Sequence, residues 1–574
     1  MYLCKFRVSR NYGFRLTASM MEQSFLQIME NSIKQNWELP ALTDYKGTTF
    51  QYKEIARKIA KLHILFEAAG IQKGDKIALI GKNSSNWAVV FIATLSYGAV
   101  IVPILHEFKP ESVHHIVNHC DAKLLFTGEV VWENLNPANM IHLSAIYSID
   151  TFELLHTSDE NNRQAIENLN RMFGEKYPKA FGKDDLVFHR DAPDELALIS
   201  YTSGTTSASK GVMLPYRTLW SNFMFAKEVL PSITQGSNVV SLLPMAHMYG
   251  MAFEFLYEFG QGSHIYFLTR TPSPKVIFEA FQEIRPDIII AVPLIIEKIY
   301  RKQIQPVIDR PAIKALLKLP VIDTAVTDRI RSTLVDAFGG KFVEVIVGGA
   351  AFNRETEDFF KRMKFPYTVG YGMTECGPII SYAPWAEHKL HSCGKAAPRM
   401  EIRIDSPAPA EIPGEIQVRG TNVMLGYFKN EEATRTAFTQ DGWMKTGDMG
   451  VLDAEGNLFI KGRSKTMILG PSGQNIYPEE IEDVINSMNY VSESLVIDAG
   501  NGRLEALIYP DFDTADKTGV DMSQLQSIME QNRVAANAML PTYSQISKVK
   551  IMTEEFEKTP KRSIKRFLYQ AHKE

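Results

Sequence analysis

Tyr201-Thr202-Ser203-Gly204-Thr205-Thr206-Ser207-Ala208-Ser209-Lys210-Gly211 follows the apolar run Leu196-Ala197-Leu198-Ile199-Ser200. The run reads as a short buried strand and the stretch after it as a loop. Every residue from Thr202 to Ser209 is small, and all but Gly204 and Ala208 carry a hydroxyl. Such a loop offers backbone N–H groups and hydroxyls with little bulk, which is what wrapping a polyphosphate requires. Lys210 adds a positive charge at its end. A Walker loop cannot be laid on it, because Gly211 follows Lys210 and no second glycine precedes the lysine. A flexible Ser/Thr turn has the same composition, so the rest of the chain must decide.

The chain has 574 residues. At about 150 residues per domain that is about three to four domains or subdomains. Its 45% hydrophobic and 22% charged content is that of an ordinary soluble globular protein. A net charge of −4 argues against a general nucleic-acid binder. Cys4, Cys120, Cys376 and Cys393 make no disulfide framework and fit a reducing compartment. Met1 to Met20 carries Lys5, Arg7, Arg10 and Arg15 and no acid. It reads as a leader over 1–20, disordered or non-native, rather than a secretory signal, because it lacks an apolar core. Trp87 to Leu105 is free of charge and long enough to cross a bilayer. Gly98 and Pro103 interrupt it, so a buried helix followed by a buried strand is expected instead.

Outward from the loop, helical and strand patterns alternate. Strands are expected at Asp75–Ile80, Val100–Ile104 and Lys123–Phe126, with helices over Lys53–Ala69 (N-capped by Thr49), Asn86–Tyr97 and Pro110–Cys120. After the loop come helix Tyr216–Leu230 and strands Ser237–Leu243, Ile265–Leu268, Asp287–Val292 and Val343–Val347. The alternation implies βαβ units, mostly parallel sheets and two sheet lobes. From Gly394 short strands between Pro/Gly turns predict a small distorted β-barrel over about 394–464. Beyond it, a helix, a hairpin, a second helix and a last strand predict a separate α+β domain. The fold class is therefore α/β, with a large domain over 21–464 and a small, mobile C-terminal domain over 465–574. His114, His115, His119 and Cys120 share one helix, but no second ligand pair with metal spacing is near, so a solvated face is expected.

Several segments carry chemistry. Thr374-Glu375 offers a hydroxyl for phosphate and a carboxylate for a hard cation such as Mg²⁺. Tyr371, between Gly370 and Gly372, can lay its ring on a base. Asp448, in Thr446-Gly447-Asp448, can accept bonds from ribose hydroxyls, and Arg463 can reach the same ribose or a phosphate.

In this order the segments resemble the adenylate-forming superfamily of acyl-CoA synthetases, luciferase-like enzymes and adenylation domains, with the long-chain fatty acyl-CoA synthetases nearest. The resemblance runs over essentially Met21 to Lys573. It implies that Thr202, Ser203, Gly204, Thr205, Thr206, Ser207 and Lys210 hold the β- and γ-phosphates of ATP. It implies that His247 gates the acyl carboxylate, and that Gly348, Gly349, Ala350 and Ala351 line the adenine and acyl pocket. Tyr371 and Gly372 would meet adenine, Thr374 the α-phosphate, Glu375 the Mg²⁺, and Asp448 and Arg463 the ribose. Lys465 would be the hinge between domains, and Gly473 would lie in the segment that meets the pantetheine arm of CoA. The implied activity joins a long-chain fatty acid to CoA through acyl-AMP, in a cytoplasmic enzyme whose lipid-like substrate is compatible with peripheral membrane contact.

Two departures stand out. Ser207 and Ser209 replace a glycine and a proline of the family loop, both with small residues. In the tail, Ser563 stands where the family has a lysine that bridges the carboxylate and the α-phosphate. Lys561 or Lys565 would have to substitute, with Lys561 preferred as catalytic; otherwise Lys561, Arg562, Lys565 and Arg566 form a solvated basic face. Met248, Tyr249, Met251, Phe253 and Phe255 either line an acyl tunnel or pack a core. Two alternatives therefore stay open: a ligase for a medium-chain or aryl acid or with a carrier-protein acceptor, and a catalytically weak nucleotide binder.

Overall fold

The computed structural model describes residues 23–202, 209–269, 273–308, 310–311, 320–470, 474–500, 503–559 and 563–570. The expected leader 1–20, loop residues Ser203, Gly204, Thr205, Thr206 and Ser207, and Gly473 and Lys561 lie outside these.

The first lobe is an eight-stranded sheet. Leu196–Thr202, Val100–Ile104, Lys76–Ile80, Ala122–Thr127 and Ala145–Ser148 run parallel in that order, and antiparallel strands flank them at both edges. Parallel strands are covered on both faces, which is why these read as unbroken apolar runs. Helix Ser85–Tyr97 is buried on nearly every side. Ser84 caps its start, accepting from Trp87 N at 3.1 Å, and Gly98 ends it. The charge-free stretch is thus a core helix and a central strand. No helix among the described residues is long and apolar enough to cross a membrane.

The second lobe takes a strand from far upstream. Pro40–Asp44 pairs in parallel with His264–Phe267, Leu42 opposite Ile265, and antiparallel with Thr49–Gln51. A parallel bridge between Val239 and Ile288 joins this four-stranded sheet to Ile289–Ala291, Val345–Val347 and Tyr367–Val369. The expected Thr49 cap is therefore corrected. Thr49 lies in a strand, and the helix runs Tyr52–Ala68 behind Gln51, whose N–H is held by the Glu54 carboxylate at 2.8 Å. Helix Tyr216–Val229 and the helical run Met248–Gln261 pack into the main core, where Trp87 and Phe91 of the first lobe meet Phe255 edge-on. The polar segment after Asp150 holds helix Glu160–Lys176, laid on Tyr52–Ala68 and pinned by Lys176 to Glu67.

Strands Met400–Asp405, Gly414–Gly420, Met444–Leu452 and Leu458–Arg463 make one antiparallel row. Among the described residues its first and last strands do not pair, so the expected barrel is an open sheet. The C-terminal part has its own core, with Ile481, Ile485, Leu525 and Met529 packed on the three-stranded sheet of Val491–Asp498, Leu504–Pro510 and Ile546–Ile551.

Candidate active site

Asp448 and Arg463 are cross-strand partners in the antiparallel pair Met444–Leu452 and Leu458–Arg463. Pairing across two strands sets side chains face to face, and Arg463 Nε lies 3.2 Å from Asp448 Oδ1. Tyr371 approaches from strand Tyr371–Gly372 and donates its hydroxyl to Asp448 Oδ2 at 2.6 Å. Asp448 is buried. Burial pushes its carboxyl up, against the opposing pull of Arg463 and of the Tyr371 bond. Burial and the neighbouring Asp448 push the Tyr371 phenol well up, so it stays a donor. The three residues predicted for base and ribose therefore form one bonded group.

Gly372 leads to Thr374. A Cβ on Gly372 would lie 2.3 Å from Pro378 O, so only glycine allows this close approach. Thr374–Cys376 is a single 3₁₀ turn, with Thr374 buried and Glu375 half-buried. Glu375 is held twice: its backbone oxygen accepts from Met424 N at 2.9 Å, and Oε1 accepts from the Tyr427 hydroxyl at 3.0 Å.

Thr202 and Lys210 face each other at the end of the antiparallel pair Leu196–Thr202 and Lys210–Pro215. They set the two ends of the small-residue loop side by side. The next strand out is Gly426–Tyr427, with Tyr427 opposite Val212. Lys210 Nζ lies 4.9 Å from the centroid of the Tyr427 ring. Tyr427 thus touches both Lys210 and Glu375. Sequence reasoning passed it by; a lone Gly-Tyr step gives no signal of its own until the strand pairing is known.

His247 is half-buried and caps the helical turn Met248–Gly250, its Nδ1 accepting from Tyr249 N at 3.3 Å. The Tyr249 hydroxyl bonds Ile346 O at 3.0 Å, and a Cβ on Gly348 would sit 3.1 Å from its ring. This brings His247 and the Gly348 segment to one place, with Gly349, Ala350 and Ala351 exposed there. Met248, Tyr249, Met251, Phe253 and Phe255 are core residues, all buried. The backbone ahead of His247 is fixed by Glu254, which accepts from Leu242 N at 3.0 Å, Leu243 N at 2.9 Å and Ser241 Oγ at 3.1 Å. Burial pushes the Glu254 carboxyl up to about 8, in spite of these bonds.

Of the four basic tail residues, Lys561 and Arg562 lie outside the described residues, and the other two are paired with carboxylates. Lys565 pairs with Glu557, and Arg566 clamps Glu482 through both of its terminal nitrogens, one at 2.7 Å. Ser563 lies in the same turn, its carbonyl bonded by Thr559 N at 2.8 Å. Lys465 is exposed in the turn after Leu458–Arg463. The C-terminal helix Pro478–Asn486 docks on the large part, where Asn353 Nδ2 donates to Asp483 Oδ1 at 2.9 Å and to Ser487 Oγ at 2.8 Å. Arg301 donates to the backbone oxygens of Asn486 and Val491.

The AMP-binding enzyme family model matches residues 29–428, and its C-terminal domain model matches 465–572. This chain belongs to the AMP-binding enzymes. It is similar to the long-chain-fatty-acid–CoA ligase ACSBG1 of Mus musculus, 26% identical over 481 residues, which cover 78% of this chain and 64% of that protein's length. It is also similar to the long-chain-fatty-acid–CoA ligase FadD15 of Mycobacterium bovis, 27% identical over 493 residues, 81% of this chain and 78% of the relative. Among solved structures it shares its fold with the anthranilate CoA ligase AuaEII bound to anthranoyl-AMP. That match has a TM-score of 0.76 and 17% identity, and it covers 96% of this chain and 98% of the other.

In this AMP-binding enzyme two histidines of helix Pro110–His119 are bonded within the protein, and His115 is exposed. His119 Nδ1 bonds the Tyr201 hydroxyl at 2.7 Å, and His114 Nε2 accepts from Asn136 N at 3.1 Å. Among the described residues no group of three or more His, Cys, Asp or Glu could hold a metal. A single carboxylate beside a hydroxyl, as at Glu375 and Thr374, fits Mg²⁺ that is carried mainly by phosphate oxygens.

Proposed function

We propose that this chain activates a fatty acid, long-chain by preference, as acyl-AMP at the expense of ATP, then passes the acyl group to CoA. One observation carries the reading: Tyr371, bonded to Asp448, and Glu375, bonded to the Tyr427 that lies under Lys210, are joined by a segment whose Cα ends are at most about 14 Å apart, which supports one nucleotide touching both groups. On this reading Asp448 and Arg463 hold the ribose, with Tyr371 alongside the base and Gly349, Ala350 and Ala351 lining its pocket. Thr202, Lys210 and Thr374 contact phosphates. Glu375 with its hydroxyl neighbour would hold Mg²⁺, which when bound neutralises phosphate charge. The fatty carboxylate attacks the α-phosphorus and pyrophosphate leaves; the CoA thiolate then attacks the acyl carbon and AMP leaves. No side-chain nucleophile is needed, so the residues act by positioning and charge. His247 borders the carboxylate. The two steps are served by rotation of residues 465–574 about Lys465. The likeness to two long-chain-fatty-acid–CoA ligases supports a long-chain acid.

Purified protein with ATP, CoA and palmitate is expected to yield AMP and palmitoyl-CoA. Acid-dependent pyrophosphate exchange without thioester would defeat the CoA-ligase reading. A second reading, a nucleotide binder with weak catalysis, is favoured by Ser563 and by the engagement of Lys565 with Glu557. Nucleotide binding without exchange for any acid would establish it.

A further inference from the structure

Tyr427 touches both a cation and a carboxylate. Its hydroxyl donates to Glu375 Oε1 at 3.0 Å, and its ring carries Lys210 Nζ at 4.9 Å. The backbone of Tyr427 is fixed from two sides. It pairs with Val212, and its N–H donates to Thr434 Oγ1 at 2.8 Å. Thr434 in turn belongs to helix Glu431–Ala437, whose start is capped by Asn430. Three residues earlier, Met424 N holds the backbone oxygen of Glu375. One short segment therefore fixes Glu375 by main chain and by side chain, and reaches Lys210 as well.

An ammonium and a carboxylate within a side chain's length pair readily, and each then loses effective charge toward third parties. An aromatic face attracts the ammonium without neutralising it. A phenol bonded to one carboxylate oxygen orients the group and, unlike a lysine, keeps its negative charge available to a cation.

We propose that Tyr427 is a positioning residue that holds Glu375 toward a divalent cation while keeping Lys210 apart from it, so that both charges serve the same metal-bound triphosphate. The proposal rests on the nucleotide reading of the site, but not on the identity of the acid.

The test measures Mn²⁺ binding to the protein–ATP complex by electron paramagnetic resonance, and ATP binding in EDTA by calorimetry. Tyr427→Phe keeps the ring and loses the hydroxyl. It is expected to weaken Mn²⁺ binding about tenfold or more, with ATP affinity in EDTA unchanged. Tyr427→Leu loses both features and is expected to weaken ATP in EDTA as well, since Lys210 is then drawn to Glu375. Wild-type Mn²⁺ affinity in Tyr427→Phe would overturn the proposal, and so would an equal loss with and without metal, the mark of a merely structural role. A wild-type protein that binds Mn²⁺–ATP yet adenylates no fatty acid defeats the functional reading alone, and the Tyr427→Phe comparison still decides for the tyrosine. A wild-type protein that binds no Mn²⁺–ATP overturns both.

Discussion

Asp448 is a carboxylate buried at a cost to folding. Burial raises its carboxyl, so the charged form present near neutrality is disfavoured in the native state. Asp448→Asn removes that penalty and the charge together. On the proposed function it is expected to weaken ATP by about tenfold or more, the worth of a charge-assisted hydrogen bond, while the melting temperature holds or rises. A melting temperature that falls with ATP affinity intact would contradict this account. A second buried carboxylate behaves in the opposite sense. Burial would raise Glu357, but bonds from His388 at 3.0 Å and His391 at 3.2 Å outweigh it and bring it to about 2. The bond to Glu357 raises His391 above its ordinary 6.5. Stability from a raised histidine is complete below 6.5 and is lost as pH rises through the folded value. Stability from the depressed Glu357 is complete above 4.5 and is lost as pH falls toward about 2. His391→Gln is therefore expected to flatten the alkaline fall of the melting temperature and to leave a plateau between the two limits lower. A parallel shift at every pH would exclude this linkage.

At the level of elements, the site depends on chain crossings that leave no room. Gly372 passes Pro378 O with no space for a Cβ. Gly372→Ala must push apart strands Tyr371–Gly372 and Ile379–Tyr382, and it is expected to cost about 1–3 kcal/mol. The check is the urea midpoint at constant slope; an unchanged midpoint would show that the strands yield freely. Elements with strong local signals were legible in the sequence: Leu196–Thr202 and Val100–Ile104 as apolar runs, Ser85–Tyr97 between a serine cap and a glycine stop. Thr49 misled because a threonine before a helical pattern looks like a cap, while pairing with Thr43 draws it into a strand. The candidate residues Thr374, Glu375, Asp448 and Arg463 stand out in the sequence because each lies near a glycine turn or a strand end. Tyr427 was not, since its meaning comes from partners more than 50 residues away and from a strand pairing that no local pattern encodes. The Met248–Phe255 run was ambiguous in principle: an apolar, aromatic stretch has the same composition whether it lines a tunnel or fills a core.

Over the whole molecule, the C-terminal part is attached by a few named bonds. Arg301 supplies donors to the carbonyls of Asn486, the last residue of helix Pro478–Asn486, and Val491. Helix ends leave such carbonyls without partners, and a guanidinium answers them. Arg301→Ala is expected to speed tryptic cleavage after Arg463 and Lys465 several-fold, with far-ultraviolet circular dichroism unchanged; equal cleavage rates would mean that other contacts hold the docked state alone. The strand Pro40–Asp44 has a different consequence, one of time. Its parallel neighbour Ile265 is made more than 200 residues after Leu42. At ~5–20 residues per second of synthesis, the early strand waits roughly 10–45 s with one edge unpaired. During that interval it is an adhesive surface on a nascent chain. A ribosome pause or slow codons between the two segments would lengthen the exposure, and aggregation in a fast-expressing host should fall when synthesis of residues 45–265 is accelerated relative to initiation.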